Sequence, residues 1–147
     1  MASQQLEDQT YMNIARVVAE RSHDPRFGVG CVIVSPDHQL TLGWNGTPEG
    51  MDNATREPKL EMTGGVLHLR MATKPTVIHA ENNALSKFTA STASAAGSTL
   101  YTTLCCCLPC AIMAYRARIK RVVYLEPYKD TVGHDFLLER NIIVDRL

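Results

Sequence analysis

The sequence predicts an α/β fold in which a mixed β-sheet carries helices on both of its faces. The order of the elements supports this, because one helix and two strands come first and strands then alternate with helices. The 147 residues suit one domain, so we expect a single domain over 1–147. A hydrophobic content of 45% and a charged content of 20% are ordinary for a globular protein with a sizeable core.

The first part of the chain predicts a helix followed by a β-hairpin. Apolar residues recur at helical spacing over 8–21, and the Asp24-Pro25 pair ends that helix. Short apolar runs rich in β-branched residues predict strands at 29–34 and 40–44, joined by a tight turn. From 45 to 75 the chain shows glycines, prolines and little periodicity, so we expect a long loop that is functional or mobile.

The rest of the chain predicts alternating helices and strands. A Ser/Thr/Ala-rich stretch at 89–98 indicates an exposed connection. We expect helices at 79–88, 107–117 and 133–140, and strands at 99–104, 120–125 and 142–144. Together with the hairpin, these strands give a sheet of about five strands.

The charge balance narrows the range of partners. Fifteen basic and fifteen acidic side chains cancel to a formal net charge of zero, which argues against binding a long nucleic acid but allows a small anionic ligand. No apolar run is long enough to span a membrane, and the cysteines do not form a spread-out, even disulfide framework. We therefore expect a cytoplasmic protein that binds neither nucleic acid nor membrane.

Cysteine spacing predicts a metal site. Of the clustered cysteines, Cys107 and Cys110 have the C-x-x-C spacing that brings two thiolates onto one turn at a helix start. His79, at the start of another helix, is the third candidate ligand. One histidine and two cysteines leave a fourth position of a tetrahedral zinc ion open, as in a catalytic site. Glu81, two residues after His79, is the candidate for moving protons between a zinc-activated water and a substrate.

Two other interpretations of the cysteines stay open. A thioredoxin-like redox role for Cys107 and Cys110 would leave the His79-Ala80-Glu81 sequence unexplained. A purely structural zinc site would need a fourth ligand, which Cys106 could supply. Cys31 and Cys105 fit packing roles as small buried hydrophobes.

The combination H-x-E followed by C-x-x-C is the signature of zinc-dependent nucleobase deaminases. In this chain it is H-A-E at 79–81 and C-L-P-C at 107–110, with Cys106 where a proline usually precedes the first thiolate. Pro109 lies inside the C-x-x-C motif instead. The ligand spacing is kept, whereas the local loop differs from the usual pattern.

Further motifs make the chain resemble the deoxycytidylate (dCMP) deaminases of the cytidine deaminase superfamily, over about 11–144. They are RS at 21–22 with DP at 24–25, VG at 29–30, VIV at 32–34, GWNGTPEG at 43–50, YTTL at 101–104 and IKRVVY at 119–124. Trp44 stands where the family usually has tyrosine. The resemblance implies the three-layer α/β/α cytidine-deaminase-like fold and the reaction of dCMP with water to give dUMP, for thymidylate synthesis, and ammonia.

The resemblance also implies roles for individual residues. Asn45 would contact base and deoxyribose, and the backbone of Ala80 would hold the pyrimidine edge. Arg26 and Lys129 would bind the 5′-phosphate, with Tyr128 stacking or contacting the sugar. Glu81 would transfer protons to N3 and to the departing amine, while one zinc per subunit, held by His79, Cys107 and Cys110, would activate water for attack on C4.

Regulation and assembly are implied in the same way. Many members of the family are homohexamers that dCTP activates and dTTP inhibits, with Mg²⁺ bridging the effector phosphates. The residues of this chain that match the effector loop are Gly43, Trp44, Asn45, Gly46 and Gly50. A second zinc, present in some relatives, is not expected, because the stretch between this loop and the H-x-E motif has only His68 and no cysteine.

Several related activities stay open. A tRNA adenosine deaminase or a deaminase of free cytidine or cytosine would lack Arg26, the Tyr128-Lys129 pair and the 43–50 loop. A dCMP deaminase that also accepts dCTP would carry the same residues, so this activity stays open as well. A non-catalytic, zinc-stabilised binding domain would keep the cysteines but would not need Glu81.

Overall fold

The computed structural model describes residues 3–147, so the first two residues of the expected 1–147 domain lie outside it. The elements are, in chain order, α1 (Gln4–Ala19), β1 (Gly30–Val34), β2 (Leu40–Trp44), β3 (Arg56–Thr63), β4 (Val66–Thr73), α2 (Ala80–Ser86), β5 (Thr99–Leu104), α3 (Leu108–Arg116), β6 (Arg121–Glu126), α4 (Val132–Glu139) and β7 (Ile143–Arg146). Within the described residues, no helix combines the length and apolar character needed to cross a membrane.

Five strands form a central mixed sheet in the order β2-β1-β5-β6-β7. β1 pairs antiparallel with both β2 and β5, whereas β5, β6 and β7 run parallel. Because β5 and β6 are parallel, the loops that follow them leave the same edge of the sheet, where α/β proteins commonly place their ligands. The predicted fold class, a five-stranded mixed sheet with helices on both faces, is confirmed.

A separate hydrophobic core covers each face of the sheet. Side chains of β1 alternate between them: Cys31 and Ile33 pack with α2, α3 and α4, whereas Val32 and Val34 pack with α1. All five β1 residues are buried, which explains why this strand is apolar along its whole length. The central strand is thereby fixed from both sides, and its neighbours hold the functional loops on a rigid support.

Helix boundaries differ from expectation by a few residues. The first helix begins at Gln4 and not at residue 8, because the Ser3 hydroxyl caps it by accepting a hydrogen bond from the backbone N–H of Leu6 at 3.2 Å. The helix expected over 79–88 ends at Ser86 and continues as a 3₁₀ turn, Lys87–Ala90. The strands expected at 40–44 and 99–104 have those bounds in the structure.

The expectation of a loop up to residue 75 is wrong for the second half of that stretch. This part of the chain forms a separate two-stranded ribbon of β3 and β4. Gly64 and Gly65 form its turn, with φ values of 59° and 78° that glycine adopts without strain. Alternating apolar and charged residues on both sides of this Gly-Gly pair were the available signal. The alternation is hard to recognise because the apolar residues do not face the core of this chain.

Candidate active site

A cavity of about 520 Å³ opens where several loops meet at the carboxyl ends of β5 and β6. It is lined by segments that come from distant parts of the sequence: 24–29, Asn45, 77–81, 104–107 and 127–129, together with Arg56 and Thr73 at the base of the ribbon. The volume lies within the range of small-molecule sites. A ligand of nucleotide size therefore fits this part of the molecule.

Three candidate metal ligands converge at this cavity. His79 Nδ1 lies 3.2 Å from Cys107 Sγ and 3.5 Å from Cys110 Sγ, and the three ligand atoms lie within 4.8 Å of one another. Ordinary zinc–nitrogen and zinc–sulfur bonds in a tetrahedron place N and S about 3.6 Å apart. The donor set and its spacing therefore fit a zinc ion with one position left for a substrate or water.

Helix starts position two of these ligands. His79 is the residue directly before α2, and Cys107 is the residue directly before α3, both with extended backbone. Pro109 lies in the first turn of α3, where a proline needs no hydrogen-bonded N–H. The proline inside the C-x-x-C motif is thus compatible with a regular helix, and Cys110 lies one turn from Cys107 on the same side.

The electrostatics of the cluster favour metal binding. The hydrogen bond with Cys110, with help from His79, holds the pKa of the Cys107 thiol well below its usual value against the opposing effect of burial. The same hydrogen bond, together with burial, raises the pKa of Cys110. A thiolate is thus ready at neutral pH, and a binding metal ion would displace the proton of the second thiol.

Glu81 is buried beside this cluster. It is 3% exposed and lines the cavity, and burial raises the pKa of its carboxyl above the usual value. The Thr102 hydroxyl lies 2.9 Å from Glu81 Oε1 and 2.7 Å from the carbonyl oxygen of Leu104. Since a hydroxyl carries one proton, it donates to one of these oxygens at a time. Thr102 thus fixes the carboxyl group in either protonation state.

Asn45 connects the cavity wall to the loop that follows α1. Its Oδ1 accepts a hydrogen bond from the backbone N–H of Val29, and its Nδ2 donates to the carbonyl of Phe27, both at 2.8 Å. The side chain lines the cavity, as expected for a substrate-binding residue, and it also shapes the wall beside it. Ala80, fully buried, lines the cavity as well.

The cations expected to bind phosphate line the same cavity. Arg26 and Lys129 both line it. Tyr128, the residue before Lys129, lines the cavity as well. The Lys129 ammonium lies 5.7 Å from the centre of the Tyr128 ring. These residues come from the loops after α1 and β6, which the parallel sheet brings to one edge.

Sequence reasoning missed a third cation, Arg56. Its Nη2 donates to Asp24 Oδ1 at 3.1 Å, and its side chain is 13% exposed. Asp24 also accepts hydrogen bonds from the backbone N–H groups of Arg26 and Phe27 and from the Thr55 hydroxyl. One buried carboxylate therefore links the ribbon base to the loop that carries Arg26. No short motif marks Arg56, since it reaches the cavity only through the tertiary fold.

The residues matching the effector loop lie mostly outside the cavity. Among them only Asn45 lines it. A Cβ on Gly43 would lie 2.3 Å from the backbone oxygen of Ala80, so this glycine is required for the close packing of β2 on α2. The Trp44 ring is flanked by the Arg21 guanidinium at 4.6 Å and the Lys87 ammonium at 5.0 Å.

Comparison with known proteins decides the family. The model of the cytidine and deoxycytidylate deaminase zinc-binding region matches residues 5–126. The chain belongs to this family. The resemblance seen in the sequence motifs is thereby confirmed, and the matched range contains His79, Glu81, Cys107 and Cys110.

Named relatives of this deaminase-family chain support the same assignment. The probable deoxycytidylate deaminase of Caenorhabditis elegans is 37% identical over 119 residues, which is 80% of this chain and 56% of the relative. The deoxycytidylate deaminase of Saccharomyces cerevisiae is 31% identical over 83% of this chain and 38% of its own length. The chain thus spans about half or less of these two relatives.

A solved structure matches the whole fold. The dCMP deaminase of the cyanophage S-TIM5, crystallised in complex with dCMP and dUMP, has a TM-score of 0.83 and 32% identity. The match covers 100% of both chains. This chain therefore matches the phage chain along its whole length, whereas it matches only part of the two eukaryotic relatives.

Proposed function

We propose that this chain is a zinc-dependent deaminase that converts dCMP and water to dUMP and ammonia in one catalytic domain. The observation that carries the proposal is a single cavity that contains His79, Glu81 and Cys107 together with the cations Arg26 and Lys129. The relatives named deoxycytidylate deaminases, and the phage enzyme crystallised with dCMP and dUMP, support the choice of substrate.

Zinc held by His79, Cys107 and Cys110 would supply a water-derived nucleophile at neutral pH for attack on C4 of the base. Glu81 accepts the proton that this water loses and delivers it to N3 of the pyrimidine. The same carboxyl would then take the proton of the hydroxyl newly attached to C4 and pass it to the amino group. The C4–N bond breaks, ammonia leaves, and a carbonyl remains at C4. Burial raises the pKa of the Glu81 carboxyl, which favours its protonated form and so suits a group that gives a proton as well as taking one.

The phosphate of dCMP would be bound by the cations that line the cavity. Arg26 and Lys129 are the residues expected from the sequence, and Arg56 adds a guanidinium that Asp24 holds in a fixed orientation. Tyr128 forms the adjoining wall and would contact sugar or base. Guanidinium groups suit this role because they bind phosphate oxygens through paired hydrogen bonds.

A substrate panel of dCMP, dCTP, deoxycytidine and CMP tests the proposal, with zinc content measured on the same samples. We expect dCMP to have the highest kcat/KM. Arg56→Gln should lower kcat/KM for dCMP by about tenfold, as expected for a lost charged hydrogen bond, and leave deoxycytidine within about twofold. Equal kcat/KM values for dCMP and deoxycytidine would contradict the phosphate roles, and a preference for dCTP would identify a triphosphate enzyme.

We further propose a homohexameric assembly that dCTP activates and dTTP inhibits, with Mg²⁺ bridging the effector phosphates to the 43–50 loop. The two cations that flank Trp44, Arg21 and Lys87, support an anionic ligand beside this loop. Titration of dCMP turnover with each triphosphate, with and without Mg²⁺, tests this. An unchanged rate in both titrations would contradict it.

The cysteines favour a reducing location. All five are free thiols, and all are buried. Free thiols persist where glutathione and thioredoxin keep them reduced, so we place this activity in the cytoplasm. A fusion of the chain to a fluorescent protein, imaged in its own cell type, would test the location.

A further inference from the structure

The ribbon formed by β3 and β4 has one apolar and one charged face. Directly paired residues of two antiparallel strands lie on the same face, and the pairs Leu60 with Leu69 and Met62 with Leu67 lie on one side. We call this side the ribbon's apolar face; its members are Pro58, Leu60, Met62, Leu67, Leu69 and Met71. Leu60 is 63% exposed and Leu69 is 70% exposed. The face therefore finds little cover within this chain.

The opposite face of the ribbon carries charged side chains of both signs. It carries the cross-strand pairs Lys59 with Arg70 and Glu61 with His68. The Arg70 guanidinium forms a salt bridge with the Glu61 carboxylate on the neighbouring pair. Because this face is exposed to water and carries both signs of charge, it needs no partner. The side of the ribbon that lacks a packing partner among the described residues is therefore the apolar face.

A two-stranded ribbon is marginally stable in water when nothing packs on its apolar side. β3 and β4 pair only with each other and with no strand of the central sheet. The leucine and methionine side chains of this face are 51–70% exposed and together expose on the order of 500 Å², the size of a monomer's largest apolar patch, which is often functional. The ribbon thus has both the need and the area for a partner.

We propose that the ribbon's apolar face packs against a second copy of this chain. A two-fold axis brings the same surface of each copy together, so an apolar face meets an apolar face of equal length. Two such faces would bury about 1,000 Å² in total, which is the threshold that a biological interface should reach. This names a contact surface for the proposed homo-oligomer and does not depend on the catalytic activity.

Charge supports a second copy over other occupants. The chain has a net charge of zero, so two copies do not repel each other at long range. The apolar face has no charged side chain between Pro58 and Met71, which gives a polyanion or an acidic peptide nothing to bind. The face is also short of the basic side chains that bind an anionic membrane surface.

Two double variants at adjacent pairs of the ribbon test the proposal. Leu60→Thr/Leu69→Thr removes apolar area from the proposed interface, and threonine keeps a strong preference for strands. Lys59→Thr/Arg70→Thr changes the next pair to the same residue on the opposite face and is the matched control. Sedimentation velocity of the full chain over a wide concentration range measures self-association. Far-UV circular dichroism and zinc content check the fold.

We expect the wild-type chain to self-associate, the leucine variant to associate at least about tenfold more weakly, and the control to match the wild type. If the leucine variant fails to fold, Met62→Thr/Leu67→Thr tests the next pair of the same face. A monomeric wild type would overturn both the assembly and its surface. An assembled wild type that the leucine variant leaves unchanged would overturn only the surface, and flotation with neutral phosphatidylcholine vesicles would identify a lipid occupant instead.

Discussion

The metal cluster and the ribbon differ in where their side chains find partners. Glu81 and Cys107 are buried within the chain, and the polar groups beside them bind one another. On the ribbon, Leu60 and Leu69 face outward and find little cover within the chain. The difference teaches that the fold accounts for the burial of the metal cluster but not for the apolar residues of the ribbon, for which we propose a second copy of the chain as the partner.

The two regions meet at one residue. Arg56 begins β3 and also lines the cavity, where Asp24 holds it. Its guanidinium thus belongs to the buried polar network of the site, whereas the strand it begins belongs to the exposed ribbon. The buried site and the exposed ribbon therefore adjoin within one or two residues of Arg56.

Removal of a thiolate should have the largest effect. Cys107→Ala leaves two of three ligands, so we expect loss of bound zinc and of measurable dCMP deamination. Cys106→Ala is the matched control next to it, because Cys106 is fully buried but lies outside the three-ligand cluster. Metal analysis and turnover measure both. If Cys106→Ala also lost zinc, Cys106 would be a fourth ligand and the site would be structural.

Replacement of the proton-transfer group should come next. Glu81→Gln keeps the shape of the side chain but cannot cycle a proton, so kcat should fall by about 10²- to 10⁴-fold. Zinc content should be unchanged, which separates this effect from loss of the metal. Near-normal turnover of this variant would show that the proton passes through another group.

A buried ion pair far from the cavity gives an effect on stability alone. The Arg121 guanidinium binds both oxygens of Asp8, at 2.7 and 2.8 Å, and the Tyr101 hydroxyl donates to Asp8 Oδ1 at 2.8 Å. Asp8→Asn gives Arg121 a weaker partner on one side, while the salt bridge to Asp145 at 2.7 Å remains. We therefore expect the free energy of unfolding to fall by about 1–3 kcal/mol at pH 7. Chemical denaturation measures it, and zinc content should not change.

The same carboxylate predicts a dependence on pH. Burial acts to raise the pKa of Asp8, but hydrogen bonds from Arg121, Tyr101 and Gln4 outweigh it and hold the pKa below 3.8. A depressed pKa stabilises the fold above the pKa of the unfolded chain, and this stability is lost as the pH falls through the folded value. The wild type should therefore lose stability below about pH 4, and Asp8→Asn should be less sensitive there. Equal pH profiles would contradict this.

The smallest effect is expected on the ribbon. Because Leu60 and Leu69 are exposed in the single chain, Leu60→Thr/Leu69→Thr should change the free energy of unfolding of the monomer by less than about 1 kcal/mol. Denaturation at concentrations where the chain is monomeric measures this. A loss of several kcal/mol would mean that the ribbon's apolar face is covered within the chain, and the comparison between the two regions would fail.

Local patterns were sufficient for the central fold and the metal cluster. Apolar runs and helical spacing predict the bounds of most elements to within a few residues. The C-x-x-C and H-x-E motifs identify the three ligands, which lie together because both helices begin at the same edge of the sheet. The roles of these residues, of Glu81 and of the phosphate cations stay predictions until the variants are measured.

What could not be predicted depends on tertiary contacts. Arg56 and Thr102 act through Asp24 and Glu81, which are 32 and 21 residues away in sequence, and no motif records either pair. The ribbon escaped recognition for another reason. Its alternating pattern is normally interpreted as one face on the core of the same chain, and its apolar face does not pack there.

If the ribbon forms the proposed subunit contact, the link between Asp24 and Arg56 would make dCMP binding and assembly reciprocal. A subunit contact that orders the ribbon would order Arg56 and the loop carrying Arg26, and so would strengthen the binding of dCMP. By thermodynamic linkage, dCMP must then strengthen the subunit contact by the same factor. The concentration of the nucleotide would thus set how many copies of this protein are assembled, with the salt bridge at the ribbon base as the point of transmission.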